Sequence, residues 1–343
     1  MKKIWMIVML GVMLGACSED SEQTFDVLQL SEVTRAASGI INAGEDHSPI
    51  QIFLMSGTTK TEGNFVYNPD ANTWSSTIGV KEPTNYIYGF SPSDAAAGTI
   101  SPIASGATDY SGGAVMTLDN LNAVGGDDLC VVVGVKGSTA EESNVTPDFG
   151  AFGFTKQGTS NYVSLLLDHL YAAIEFKIKI GSKYNELRDI CLKKMELQSA
   201  KTVSKAIVTL TANADGTNPI TNVSYTTANE PQTNMVYDYG TDANTPTGIL
   251  LSTTGKAFTS YCAPITGMGS HLKLICTYDV YNRKGTKVRE NCVAENSLAD
   301  LSGLTIERGK KSVINLTVEP TYLYQLSEDE LDNPGIKLVV SGN

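Results

Sequence analysis

Cys17 and Arg35 are the residues near the start of the chain whose surroundings point to covalent chemistry. Cys17 follows Leu14-Gly15-Ala16 at the end of an apolar run, where a thiol is open to acylation and the bond before it to cleavage. Arg35 stands in Val33-Thr34-Arg35-Ala36, a basic position flanked by small residues that a protease cleft accepts, and no other Arg or Lys lies between Cys17 and Lys60. The rest of the inventory offers no catalytic set. His47, His169 and His271 share no spacing, and neither H-E-x-x-H nor G-x-S-x-G occurs. Gly267–Leu272 (GMGSHL) lacks the third glycine of a phosphate loop and precedes a strand-like run where a helix is required. Gly125–Asp128 (GGDD) is able to hold calcium weakly but reads more naturally as a solvated turn. No cysteine pair has the C-x-x-C spacing of a metal or redox site. The expectation is a non-enzyme with no metal and no cofactor other than lipid on Cys17.

The elements that would position Cys17 are those of an export signal. Lys2 and Lys3 form a positive start, and Ile4 to Leu14 is an apolar run of eleven residues. That is too short to span a bilayer and suits a signal-peptide core. Leu14 to Cys17 resembles the lipobox of bacterial lipoproteins, in which the thiol takes a diacylglyceryl group before cleavage. More than one acyl chain anchors stably, which a single chain does not. Ser18-Glu19-Asp20 looks like the acidic tag that Bacteroidota use to send lipoproteins to the cell surface. The bland alternative is a secretory signal with an incidental cysteine.

Beyond Cys17 the chain is long enough for two domains of ordinary size. Its net charge of −12, with Lys and Arg scattered, argues against a nucleic-acid partner. Short apolar stretches, often alternating and bounded by Gly, Pro, Asn or Asp, predict an all-β sandwich protein. Strands are expected at Ile50–Met55, Asn64–Tyr67, Tyr86–Phe90, Val115–Leu118, Leu129–Val133, Tyr162–Leu167 and Ala173–Ile180. Further strands are expected at Ile190–Leu197, Ala206–Leu210, Gly248–Leu251, Leu272–Tyr281, Val288–Val293 and Val313–Val318. Leu187, Ile190, Cys191 and Met195 also fit helical spacing, so the 190s stay open between helix and strand. Thr211–Thr247 reads as a polar loop, with a long-tipped hairpin as the other reading. Near the end, Ser327 to Glu330 has capping-box spacing, and Asn333-Pro334-Gly335 would stop a helical turn. Ile336–Val340 then reads as a last strand with Ile336, Leu338 and Val340 on one face. Such a strand either completes its own sheet or reaches a neighbour. Cys130, Cys191, Cys262, Cys276 and Cys292 are odd in number; one disulfide is allowed and none is demanded.

Several stretches together resemble the fimbrillin family of Bacteroidales, the subunits of their surface pili. They are Tyr86–Pro92 (YIYGFSP), Leu167–Ile180 (LDHLYAAIEFKIKI), Tyr261–Ile265 (YCAPI) and the run from Ile306 to Leu338, which follow in order over most of residues 36–343. The resemblance implies two tandem transthyretin-like β-sandwiches, 36–166 and 167–343, after a signal peptide (1–17) and a propeptide or linker (18–35). It also implies a strand in the 190s. A lipoprotein precursor in the outer membrane would be cut after Arg35 by a trypsin-like surface protease, leaving Ala36 as the new start. Residues 24–30, apolar enough for a first strand, would leave with the propeptide and open a groove. Ile336, Leu338 and Val340 of a neighbour would fill it, growing an adhesive fimbrium whose further partners are other subunits and host or bacterial surface ligands. His169 is then expected to be a partly buried histidine with a hydrogen-bond partner. Tyr86, Tyr88, Phe90, Trp74 and Pro320–Leu326 (PTYLYQL) are expected to pack rather than to bind sugar. The alternatives are an uncleaved anchor subunit, a tip subunit, or a surface glycan-binding lipoprotein.

Overall fold

The computed structural model describes residues 27–35, 47–81, 83–104, 106–141, 149–156, 161–212, 219–240, 248–299, 301–320 and 331–341. Cys17, Ala36 and the capping box at Ser327 lie outside the described residues, as do Phe25, Asp26 and Thr321 to Leu326. The first half of the chain forms β1 (Leu28–Arg35), β2 (Ile50–Ser56), β3 (Thr59–Asn68), β4 (Thr73–Ser75), β5 (Thr84–Ser91) and β6 (Ala97–Pro102). It continues with β7 (Gly113–Asp119), β8 (Val124–Gly125), β9 (Cys130–Ser138), β10 (Gly153–Thr155) and β11 (Asn161–His169). After β12 (Ala172–Ile180) comes one short helix, α1 (Ser182–Asn185), then β13 (Arg188–Ser199), β14 (Thr202–Thr211), β15 (Ile220–Ala228) and β16 (Gln232–Asp238). The last strands are β17 (Ile249–Leu250), β18 (Lys256–Cys262), β19 (Leu272–Asn282), β20 (Lys287–Ser297), β21 (Lys311–Glu319) and β22 (Gly335–Val340).

These strands make four sheets. The largest has the order β1-β11-β9-β5-β2-β3-β4, with β10 on β5. Two five-stranded sheets run β22-β21-β12-β18-β8 and β16-β13-β19-β20, the latter with β17 on β13, and a four-stranded sheet runs β15-β14-β7-β6. The pairing of β7 with β14 and of β8 with β18 joins the two halves of the chain, and β11 runs through the 166/167 point.

Period-two patterning explains which face each strand buries. In β12, Ile174, Phe176, Ile178 and Ile180 are buried while Lys177 and Lys179 are exposed. The centre of β9 is apolar on both faces because both are covered. Val131 and Val133 join the main core shared by most of the sheets, whereas Cys130, Val132 and Val135 join a second core with Leu28, Leu30, Ile52, Phe65, Ile78, Val163 and Leu165. That second core is enclosed by the largest sheet itself.

Most expected strands form, usually longer at each end; the 190s, open between helix and strand, resolve as strand, and three readings change. The 190s are a strand, β13, despite their helical spacing, because Ile190, Leu192, Met195 and Leu197 reach the core across a bulge that displaces the period-two pattern. Thr211–Thr247 is not a plain loop: β15 and β16 lie within it, their polar residues facing solvent on sheet edges. β6 lies in a stretch read as turns. The stretch read as a linker is strand from Leu28 onward, so the first strand ends at Arg35, not Leu30.

Candidate functional site: the strand that closes the largest sheet

β1 pairs in parallel with β11, from Leu28 opposite Asn161 to Arg35 opposite Leu167. Its other edge is also used at its start. The Leu28 amide donates to the Ile78 carbonyl at 2.8 Å, the Ser76 hydroxyl donates to the Leu28 carbonyl at 2.7 Å, and Val27 bridges Gly79. The segment 76–79 directly follows β4, the strand at the far end of the sheet order. β1 therefore closes the sheet on itself, between β11 and residues 76–79. Leu28 (0% exposed) and Leu30 (4%) point into the enclosed core, Gln29 points out, and a bulge between Leu30 and Glu32 resets the pattern so that Val33 packs against that core. Withdrawing β1 would expose Ile78, Val80, Val163 and Leu165 and leave unpaired backbone groups on β11. Arg35, the candidate cleavage residue, is the last residue of this strand.

The tail lies elsewhere. β22 pairs antiparallel with β21 at the edge of its sheet, with Ile336 opposite Val318, Leu338 opposite Leu316 and Val340 opposite Ile314. Ile336, Leu338 and Val340 do share a face, as the spacing predicts, but each is only half-buried while Lys337 and Val339 are exposed. The strand thus completes its own sheet in the isolated chain. Its root is held by Arg188 Nε on Asp332 (2.7 Å), by the Tyr278 hydroxyl on the Pro334 carbonyl (2.6 Å) and by the Tyr184 hydroxyl on the Leu331 carbonyl.

The remaining candidate for chemistry is His169, which is fully buried where a partly buried histidine is expected. Asp128, expected in a solvated turn, is buried against it, with Oδ2 at 2.9 Å from Nδ1. Cys130 Sγ lies 3.3 Å from the same nitrogen. A nucleophile and its orienting acid need opposite ring nitrogens, so sharing Nδ1 makes these three no catalytic triad. The 2.9 Å contact is a hydrogen-bond length, shorter than the roughly 3.3 Å that separates two light-atom ligands of a tetrahedral zinc. Nδ1–H donating to Asp128 satisfies both groups. Beside them Arg308 donates to Asp168 (2.6 Å) and to the His169 carbonyl (3.2 Å), so the network fastens the end of β11 to the loop before β21. Trp74 packs half-buried on the enclosed core, beside Tyr67, on which the His47 ring is stacked.

All five described cysteines are buried. Burial pushes the Cys262 and Cys276 thiols up to about 12, so both stay neutral and unreactive at neutral and mildly alkaline pH. A thiol titration at mildly alkaline pH is expected to leave these two unlabelled in the folded protein and to label them once denaturant is added. Labelling of Cys262 or Cys276 without unfolding would contradict their placement.

Residues 76–80 belong to this site without any sequence feature that marks them for it. Only the closure of the sheet brings Ser76, Ile78 and Gly79 to β1, some fifty positions earlier in the chain. No local signal marks such a pairing.

Among the described residues no helix is long and apolar enough to cross a membrane. No family model matches the chain, and no curated protein matches it. Solved structures similar to it include a fimbrial protein from Bacteroides vulgatus, 14% identical over 92% of this chain and 99% of that one, with a TM-score of 0.40. Another is a Bacteroides fragilis protein provisionally described as a cell adhesion protein, 11% identical over 93% and 97% of the two chains, with a TM-score of 0.44. A third is the fimbrial anchor protein Mfa2 from Porphyromonas gingivalis, 10% identical over 92% and 97%, with a TM-score of 0.33. Likeness this loose assigns no role to any residue of this chain.

Proposed function

We propose that the chain is a structural subunit of a cell-surface fimbrium, exported as a lipoprotein on Cys17 and licensed for assembly by cleavage between Arg35 and Ala36. One observation carries this reading: the one Arg or Lys between Cys17 and Lys60 is also the last residue of the strand that closes the largest sheet. A cut there separates β1 from the rest of the chain at its boundary, where strand fraying is cheapest. The strand is then held only by non-covalent contacts and is replaceable. The occupant of the vacated slot is β22 of a neighbouring subunit, whose alternating Ile336, Leu338 and Val340 match the alternating demand met by Leu28 and Leu30. A head-to-tail contact of this kind does not close and grows a filament. The fold belonging to this reading is a pair of tandem transthyretin-like sandwiches, 36–166 and 167–343, lending strands across their boundary through β7–β14 and β8–β18. The outer membrane and a trypsin-like protease are its expected partners.

Replacing Arg35 by Ala in the producing cell is expected to leave the precursor lipid-anchored and monomeric, with surface fibres reduced at least about tenfold, as for loss of an essential step. Fibres at the normal level from this variant would overturn the maturation step.

A further inference from the structure

The outer face of the β13-β19-β20 sheet carries a group of polar side chains that terminal-strand exchange does not use. Lys193 sits at a bulge in β13, Asp279 at a bulge in the adjacent β19, and Asn291 on β20 beyond it. The Lys193 ammonium donates to the Asn291 side-chain carbonyl oxygen at 2.7 Å, so the amide carbon lies one bond behind its hydrogen-bond acceptor. Lys193 is only 9% exposed and Asp279 2%. The Asp279 carboxylate has Oδ1 3.8 Å from Lys193 Nζ and accepts the Asn291 backbone amide at 2.8 Å, while Oδ2 takes Lys287 at 2.9 Å. The Tyr239 ring covers Lys193 Nζ at 5.0 Å. Asn291 adopts a left-handed backbone (φ 52°), a conformation asparagine tolerates better than most residues.

We propose that Lys193 and Asn291 condense into an isopeptide cross-link between β13 and β20, with Asp279 carrying the proton. Asp279 takes one proton from the ammonium and frees the amine lone pair. The Nζ–Cγ bond forms, a second proton passes from Nζ to Nδ2, and the Cγ–Nδ2 bond breaks. The proton held on Asp279 leaves with the departing ammonia as ammonium, and the carboxylate is restored. No oxidant, reductant or cofactor is consumed. The fold supplies what an amine and an amide lack in solution: contact held in place, partial exclusion of water and a base beside the nitrogen. Lys287 fixes the carboxylate from its other oxygen, and Asn291, exposed on its far side, gives ammonia a way out.

The test is a mass measurement on the purified wild-type protein followed by a tryptic map. The expected intact mass is lower than that of the mature sequence by one ammonia. The map should contain a branched peptide joining Lys193 to Asn291, with no cleavage after Lys193. Lys193→Arg and Asn291→Ala should each restore the full mass, and Asp279→Ala should leave both side chains unlinked. Linear peptides with an intact Asn291 and normal cleavage at Lys193 would overturn the proposal. So would an ammonia loss confined to Asn291 itself, which marks a succinimide. A branched peptide in Asp279→Ala would overturn the proton-carrying role of Asp279. None of these outcomes depends on whether the subunits polymerise.

Discussion

A chain beginning at Ala36 is expected to assemble where the full-length chain stays monomeric. Without β1 the enclosed core loses Leu28 and Leu30, each fully or almost fully buried. At about 1.5–3 kcal/mol for each such side chain, roughly 3–6 kcal/mol of apolar burial goes with them. The strand's backbone partners on β11 and at Ile78 are lost as well. Against a total stability of about 5–15 kcal/mol, that is a large fraction. The shortened chain should therefore show a lower urea midpoint and should form multimers over hours at micromolar concentration. An added peptide spanning Leu28–Arg35 should refill the slot and slow the assembly. A chain from Ala36 that remains monomeric with an unchanged midpoint would mean that β1 is an ornament on a finished sheet.

The second large effect is expected at Leu338. In the isolated chain this side chain lies half-buried against Leu316. Leu338→Asp should then cost the monomer only about 1–2 kcal/mol, a partial share of a full leucine burial. In a neighbour's slot the same position would be enclosed as Leu30 is, and an unpaired carboxylate there costs several kcal/mol. Assembly of the mature chain should fall by at least about a hundredfold, since about 2.7 kcal/mol corresponds to that factor. Lys337→Ala changes an exposed residue on the opposite face and should assemble normally. Normal assembly of Leu338→Asp would rule out β22 as the donor. Removing the whole strand is a poorer test, because β22 covers Ile314, Leu316 and Val318 of its own chain.

Much of this is legible in the residues. The all-β class, the positions of most strands and the shared face of Ile336, Leu338 and Val340 follow from period-two patterning, which is a local property. What the residues hide is non-local. The helical spacing of Leu187, Ile190, Cys191 and Met195 is overruled by the β19 partner that pairs residue by residue with β13, and nothing in those four side chains announces it. Asp128 in a glycine–aspartate stretch looks solvated until β9 and β11 bring His169 to it. Arg35 can be found as an isolated Arg in a stretch without Lys, but its place at the end of a strand depends on pairing with Leu167, far along the chain. The slot beside residues 76–79 depends on closure of a whole sheet. The Lys193–Asp279–Asn291 group needs three strands in register and two bulges before its members meet.

On the proposed function, cleavage after Arg35 precedes assembly. Its most direct test is the N-terminal sequence and intact mass of the protein taken from fibres on its native cell surface. A free amino terminus at Ala36, no acyl chains, and no residue of β1 in the assembled material are expected. An acylated Cys17 joined to an uncut Leu28–Arg35 strand in those fibres would contradict it.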